Sequence, residues 1–236
     1  VSYVKPVFNS LKNEEKGENT MYDVILFDLD GTLTDSGLGI TNSVAYSLKK
    51  FGIEIDDRTE LYKFIGPPLR ESFEKYYGFS PEEAGKAVEY YREYYTDKGL
   101  FENTVYEGIE ELLKEIRDSG KRAIVATSKP EVFAKRILEH FGLAKYFAYI
   151  VGANLDETRT KKDEVIAHVL ESCEIPDRSK VLMVGDREHD ILGAKKMGLD
   201  SLGVLFGYGD YEELKRAGAT YIAETVRDIY PVVFAP

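Results

Sequence analysis

The chain has 236 residues, 43% of them hydrophobic, with 31 Lys+Arg against 42 Asp+Glu and a formal net charge of −11. That length accommodates one large domain, or a core with a small second domain, and the apolar content is enough for a sizeable interior. The acidic balance argues against a nucleic-acid binder or a partner of anionic membrane surfaces, and no stretch approaches the ~18 apolar residues of a membrane span.

Residues 1–20 lack the apolar centre of a signal peptide, and their second half is polar; they read as a flexible N-terminal extension, with the folded part beginning near Met21. The first short apolar run, 22–27, ends in Asp28. The next segment, 37–104, offers no strand pattern. Val44, Leu48 and Phe51 follow helical spacing, as do Val88, Tyr91 and Tyr95. It reads as a small all-helical cap inserted after the first strand, hinged at 34–38 and 102–107, with the core formed by 21–36 and 105–236. The tyrosines at 90–95 read as packing residues.

Beyond the insert, apolar runs alternate with helical patterns. The runs at 122–126, 149–151, 181–184 and 201–204 are short and β-branched, as buried parallel strands are. Helical patterns occupy about 107–119, 130–141, 161–173 and 188–197. The alternation predicts a doubly wound α/β fold with a parallel, Rossmann-like sheet. Cys173 is the single cysteine, so no intrachain disulfide forms, which suits a reducing cytoplasm. It falls in a predicted helix with no activating neighbour and reads as a small buried apolar residue.

Polar residues collect just past the strand ends, where open α/β sheets bind ligands. The string Asp28-Leu-Asp-Gly-Thr-Leu33 places two carboxylates two residues apart at a strand end, where they repel unless a divalent cation or a proton is shared. Asp186 and Asp190 are four apart, a spacing that sets both on one helix face, and oxygen-only ligands suit Mg²⁺ better than zinc. Plainer readings stand beside these. Asp186 and Asp190 also suit a helix N-terminus, and Thr127 can simply end a strand. Lys161 and Lys162 are adjacent, and solvated lysines are ordinary. Ser128 and Glu131 form an S-x-x-E box with Pro130 between, so Ser128 reads as an N-cap. Arg70, after the Gly66–Leu69 stretch, suits a substrate anion or solvent equally. His140, His168 and His189 are scattered and share no ligand spacing.

The Asp28-Leu-Asp-Gly-Thr string resembles the nucleophile motif of the haloacid dehalogenase superfamily, in its phosphatase branch. Thr127-Ser-Lys129, Lys162 and Gly185-Asp-Arg-Glu-His-Asp190 resemble that family's remaining motifs, in order, and the match spans about 22–232. It looks most like phosphoglycolate phosphatases and bacterial 5′-nucleotidases of similar sequence. The resemblance implies an Asp28 nucleophile, an Asp30 acid-base, and phosphate binding by Thr127, Lys162, the backbone at Leu29, Ser128 and Lys129. It implies Mg²⁺ held by Asp28, Asp30 and Asp186 with Asp190 in support, and a substrate-facing loop at Gly66 and Arg70. The substrate implied is a small phosphorylated metabolite. A phosphomutase of the β-phosphoglucomutase type, a receiver-type signalling module and a non-catalytic binding protein are the competing readings.

Overall fold

The computed structural model describes residues 22–156 and 158–234; the extension expected at 1–20, and Met21, lie outside them. The first strand, β1 (Val24–Phe27), is buried along its whole length. A two-residue strand β2 (Thr34–Asp35) leads into the helical insert: α1 (Gly37–Lys50), a 3-10 segment Arg58–Phe64, α2 (Leu69–Tyr77) and α3 (Pro81–Tyr94), which runs on through a π turn, Tyr95–Gly99. The chain leaves by β3 (Thr104–Val105), antiparallel to β2. There follow α4 (Ile109–Asp118), β4 (Arg122–Pro130), α5 (Glu131–His140), β5 (Phe147–Ala153), α6 (Lys162–Ser172), β6 (Val181–Gly185), α7 (Glu188–Met197), β7 (Asp200–Val204), α8 (Tyr211–Ala217), β8 (Tyr221–Ala223) and α9 (Tyr230–Val233).

The main sheet has six strands in the order β5-β4-β1-β6-β7-β8, and every pair is parallel. Successive β1 side chains point to opposite faces. Ile25 and Phe27 join one cluster, which continues into the insert through Val44, Leu48, Phe73 and Tyr91. Val24 and Leu26 join the other, beneath Val165, Val169 and Ala194 of α6 and α7. Because β1 lies between β4 and β6, its C-terminal end is where the chain's crossovers diverge, the usual crevice for a ligand. Among the described residues no helix is long and apolar enough to cross a membrane.

All five expected strands form, together with β8, a three-residue edge strand whose half-buried residues give too little alternation to stand out. The expected hinges are the paired strands β2 and β3, so the insert is tied to the core by a two-stranded ribbon. Ser128 is not the N-cap of α5. Strand β4 runs on to Pro130, and Pro130 caps the helix with no side-chain hydrogen bond. A capping box of that kind does form in the insert, where the Ser80 hydroxyl accepts the Glu83 N–H and the Glu83 carboxylate accepts the Ser80 N–H. Cys173 is buried at the C-cap of α6.

Candidate active site

At the end of β1, the Asp28 N–H still donates to the Val184 carbonyl (2.9 Å), so the sheet itself fixes its main chain. A single tight turn follows, in which the Leu33 and Thr34 amides donate to the Leu29 carbonyl (2.9 and 3.0 Å). The turn buries the Leu29 side chain, so only its backbone is available to a ligand, and both Asp28 and Asp30 face the cleft above. Asp186 follows β6 directly, whereas Asp190 lies in the first turn of α7 and accepts the Arg187 N–H (3.1 Å). The two acids therefore meet across a strand-to-helix turn rather than along one helix face. Carboxylate oxygens of Asp28, Asp186 and Asp190 all lie within 4.8 Å of one another.

Lys162 opens α6 facing inward, while Lys161 before it is exposed. The Lys162 ammonium sits 2.7 Å from Asp28 Oδ1 and 2.7 Å from Asp190 Oδ1, and donates to the Ala126 carbonyl (3.0 Å). Burial alone would lower its pKa; the Asp190 and Asp28 carboxylates outweigh burial and raise it, so the group stays cationic. Burial, then the charges of Asp190 and Asp28, hold the Asp186 carboxyl well above the ordinary range. Asp190 is raised by burial as well, against the opposing pull of Lys162. Thr127, buried at the end of the apolar stretch of β4, accepts the Lys129 N–H on its hydroxyl (3.2 Å).

Lys129, expected on phosphate, lines the cleft beside Thr127 and Ser128. Its ammonium lies 2.7 Å from Asp30 Oδ2 and 4.9 Å from the centroid of the Tyr95 ring, clamped between the core acid and the insert. Asp28, Asp30, Asp186 and Asp190 are all buried, against two buried ammonium groups, Lys129 and Lys162. With all four ionised, four negative charges against these two ammoniums leave an excess of two, which the Arg187 guanidinium near Asp186 offsets only in part. Asp28 Oδ1 and Asp190 Oδ1 share the single Lys162 ammonium, and Asp30 Oδ1 has no hydrogen-bond partner. A hard divalent cation with oxygen ligands fits both the charge deficit and the convergence of three carboxylates.

The cleft between insert and core holds about 200 Å³. Its floor carries Asp28, Asp30, Thr127 and Ser128; its walls are mainly apolar and aromatic, including Phe64, Val88, Tyr91, Tyr95 and Phe133. Gly66, with φ near +100°, and Arg70 line the rim, where the Arg70 guanidinium donates to the Pro81 carbonyl (2.9 Å). The histidines stay out of the acid cluster. Sequence reasoning missed the supports of Asp186: the Thr32 hydroxyl (3.3 Å) and the Tyr208 N–H (2.8 Å). The pair of glycines around Tyr208, just after a strand, was the available signal.

Residues 25–204 match the family described as haloacid dehalogenase-like hydrolase. A 5′-nucleotidase of Pseudomonas aeruginosa is 47% identical over 200 residues, covering 85% of this chain and 90% of the relative. A protein of Mycobacterium bovis named tyrosine-protein kinase PtkA is 38% identical over 84% of this chain and 67% of its own length. A crystal structure from Clostridium acetobutylicum, described as a predicted phosphatase, superposes with a TM-score of 0.89 at 52% identity, covering 92% of this chain and 100% of that one.

Proposed function

The chain belongs to the haloacid dehalogenase-like hydrolase family and is a phosphoric monoester hydrolase, and from that premise we propose that it is a Mg²⁺-dependent phosphatase working through an aspartyl-phosphate on Asp28. The observation that carries this reading is the meeting of Asp28 with Asp186 and Asp190 under one lysine, with Asp30 beside it in the cleft.

Asp28, Asp186 and the Asp30 main-chain carbonyl would hold the cation, with Asp190 supporting the set. Bound there, Mg²⁺ supplies Lewis-acid stabilisation and neutralises the negative charge on nucleophile and phosphate. Asp28 attacks phosphorus in line, forming an O–P bond as the bond to the leaving oxygen breaks. Asp30 gives its proton to the leaving alkoxide, then takes one from the water that hydrolyses the intermediate. The Thr127 hydroxyl, the backbone at Leu29 and the Lys162 ammonium stabilise charge on the phosphoryl oxygens. Lys129 holds Asp30, and Ser128 flanks the phosphate position. The insert acts as a cap that keeps bulk water from the reaction.

The substrate is a small phosphorylated metabolite of the cytoplasm, not a nucleic acid or a membrane lipid. The aromatic walls favour a leaving group with a ring body, such as the nucleoside implied by the 5′-nucleotidase relative, over the two-carbon acid of phosphoglycolate. Arg70, at the rim, would meet polar groups of that leaving group by turning from the Pro81 carbonyl. The test is inorganic phosphate release with Mg²⁺ from nucleoside monophosphates, sugar phosphates and phosphoglycolate, repeated with Asp28→Asn. Release by the native protein and its loss in the variant are expected. Undiminished release in the variant overturns the mechanism; interconversion of sugar phosphates without release, or transfer to a tyrosine peptide, would make it a mutase or a kinase instead.

A further inference from the structure

The loop between β7 and α8 has no part in the chemistry above, yet Tyr208 within it touches three parts of the molecule. Its N–H donates to Asp186 Oδ2 (2.8 Å). Its hydroxyl donates to Asp35 Oδ1 in β2, the same oxygen that accepts the Gly37 N–H (3.1 Å) at the start of α1. Its ring meets the Tyr62 ring of the insert edge-on, with centroids 5.5 Å apart. Burial, with the Asp35 carboxylate beside it, pushes the phenol's pKa up, so the hydroxyl remains a donor.

The loop packs directly against Asp186. A Cβ at position 207 would lie 2.4 Å from Asp186 Cβ and 2.3 Å from the Gly31 carbonyl oxygen; one at 209 would lie 2.0 Å from the Asp186 carbonyl oxygen. Only glycine permits that approach on either side of Tyr208. A Cβ at 37 would likewise lie 2.5 Å from the Tyr208 hydroxyl oxygen. The residue after Asp186 adds a second tie: Arg187 donates to the Ile65 carbonyl of the insert (2.7 Å) while Glu213 holds its Nε (2.8 Å).

We propose that Tyr208 is a positioning residue that couples cation binding at Asp186 to the seating of the helical insert on its hinge. The inference rests on the cation reading given under Proposed function. The Asp186 carboxylate is oriented by the Tyr208 N–H, while the hydroxyl and ring of the same residue rest on β2 and the insert, so one residue joins the two places. Cation binding therefore favours the seated hinge, and by linkage the seated hinge favours the cation to the same extent.

The test uses the full chain, its Tyr208→Phe variant and Tyr62→Leu. Mg²⁺ binding is measured by calorimetry, and amide hydrogen exchange in β2 and β3 with and without Mg²⁺. Tyr208→Phe keeps the main-chain N–H and the ring and loses only the bond to Asp35; Tyr62→Leu removes the ring contact from the other side. In the native protein Mg²⁺ is expected to slow hinge exchange about tenfold, within the usual range of coupling between sites. Both variants should still bind Mg²⁺, with the slowing reduced to about twofold or less. A hinge that responds to Mg²⁺ in both variants as it does in the native protein overturns the role of Tyr208, as does a native hinge that binds Mg²⁺ without responding. A native protein that binds no Mg²⁺ removes the cation reading and this coupling together.

Discussion

Around Asp28 the core gathers four buried carboxylates and two buried ammoniums at the C-terminal end of the sheet's central strands, whereas the insert above is built ring against ring. Phe64 meets Phe73 at 5.0 Å, Phe73 stacks on Phe79 at 5.9 Å, and Phe51 meets Phe79 at 4.6 Å. In the floor, Asp30 Oδ1 lacks a partner, and like charges crowd where water is excluded. In the roof, the charges lie outside: Lys50 and Lys63 rest on the faces of Tyr46 and Tyr76. Desolvated charges destabilise a fold unless paired, while aromatic burial stabilises it. The floor is arranged for chemistry at the expense of stability, and the roof contributes stability and shape.

Substitutions on the two sides should therefore separate activity from stability. The largest effect is expected from Asp28→Asn, which should lower phosphate release by about 10⁴-fold or more, as loss of an enzymic nucleophile does. The melting temperature should hold or rise, because one of the crowded charges is gone. Phe73→Ala should do the reverse. Phe73 is fully buried between Phe64 and Phe79, so truncation should cost about 3–5 kcal/mol, a fall of roughly 10 °C in melting temperature. At a temperature where the variant is folded, turnover should stay within about threefold of native. If Phe73→Ala abolished turnover in the folded protein, the roof would be part of the chemistry and the contrast would fail.

The contrast was unevenly visible in the sequence. The β1 run and the acids at its end were legible because a short apolar strand and a turn motif are both local patterns. The insert was legible as helix from the spacing of Val44, Leu48 and Phe51, and of Val88, Tyr91 and Tyr95. What stayed hidden was pairing across elements. No local pattern ties Lys129 to Asp30 or sets Tyr95 over it, because Tyr95 arrives from the insert and the other two from the core. Ser128 was misread for a related reason: the S-x-x-E box is local, but pairing of β4 with β5 as far as Pro130 and Ala153 extends the strand past it. The support of Asp186 by Tyr208 spans 22 residues and depends on the crossover between β6 and β7.

A finer probe of the same contrast is Asp186→Asn. Asp186 is fully buried, with Asp190 and Asp28 as its charged neighbours in the cluster. Removing its charge should stabilise the cation-free protein by on the order of 1 kcal/mol while weakening Mg²⁺ binding severely. Thermal unfolding in EDTA and calorimetry with Mg²⁺ read the two effects separately. A variant less stable than native in EDTA would show that the carboxylate, as a hydrogen-bond acceptor for Thr32 and Tyr208, matters more than its charge does.

The smallest expected effect is one of pH. Asp186 and Asp190 titrate above the ordinary carboxylate range in the folded protein, chiefly through burial. The folded, cation-free protein thus holds their protons more tightly than the unfolded chain. The stability this contributes is fully present below the unfolded value of ~4 and is lost as pH rises through the raised folded values. A bound cation takes the protons' place, so its stabilising effect should grow over the same window. The rise in melting temperature on adding Mg²⁺ should be smaller near pH ~5 than near pH ~7.5, by about 2–4 °C for each kcal/mol of difference. Asp28→Asn, which removes a repelling neighbour of both acids, should narrow that difference. Equal Mg²⁺ increments at the two pH values would mean that the floor is already ionised and compensated without a cation, and the charge deficit that separates it from the roof would not exist.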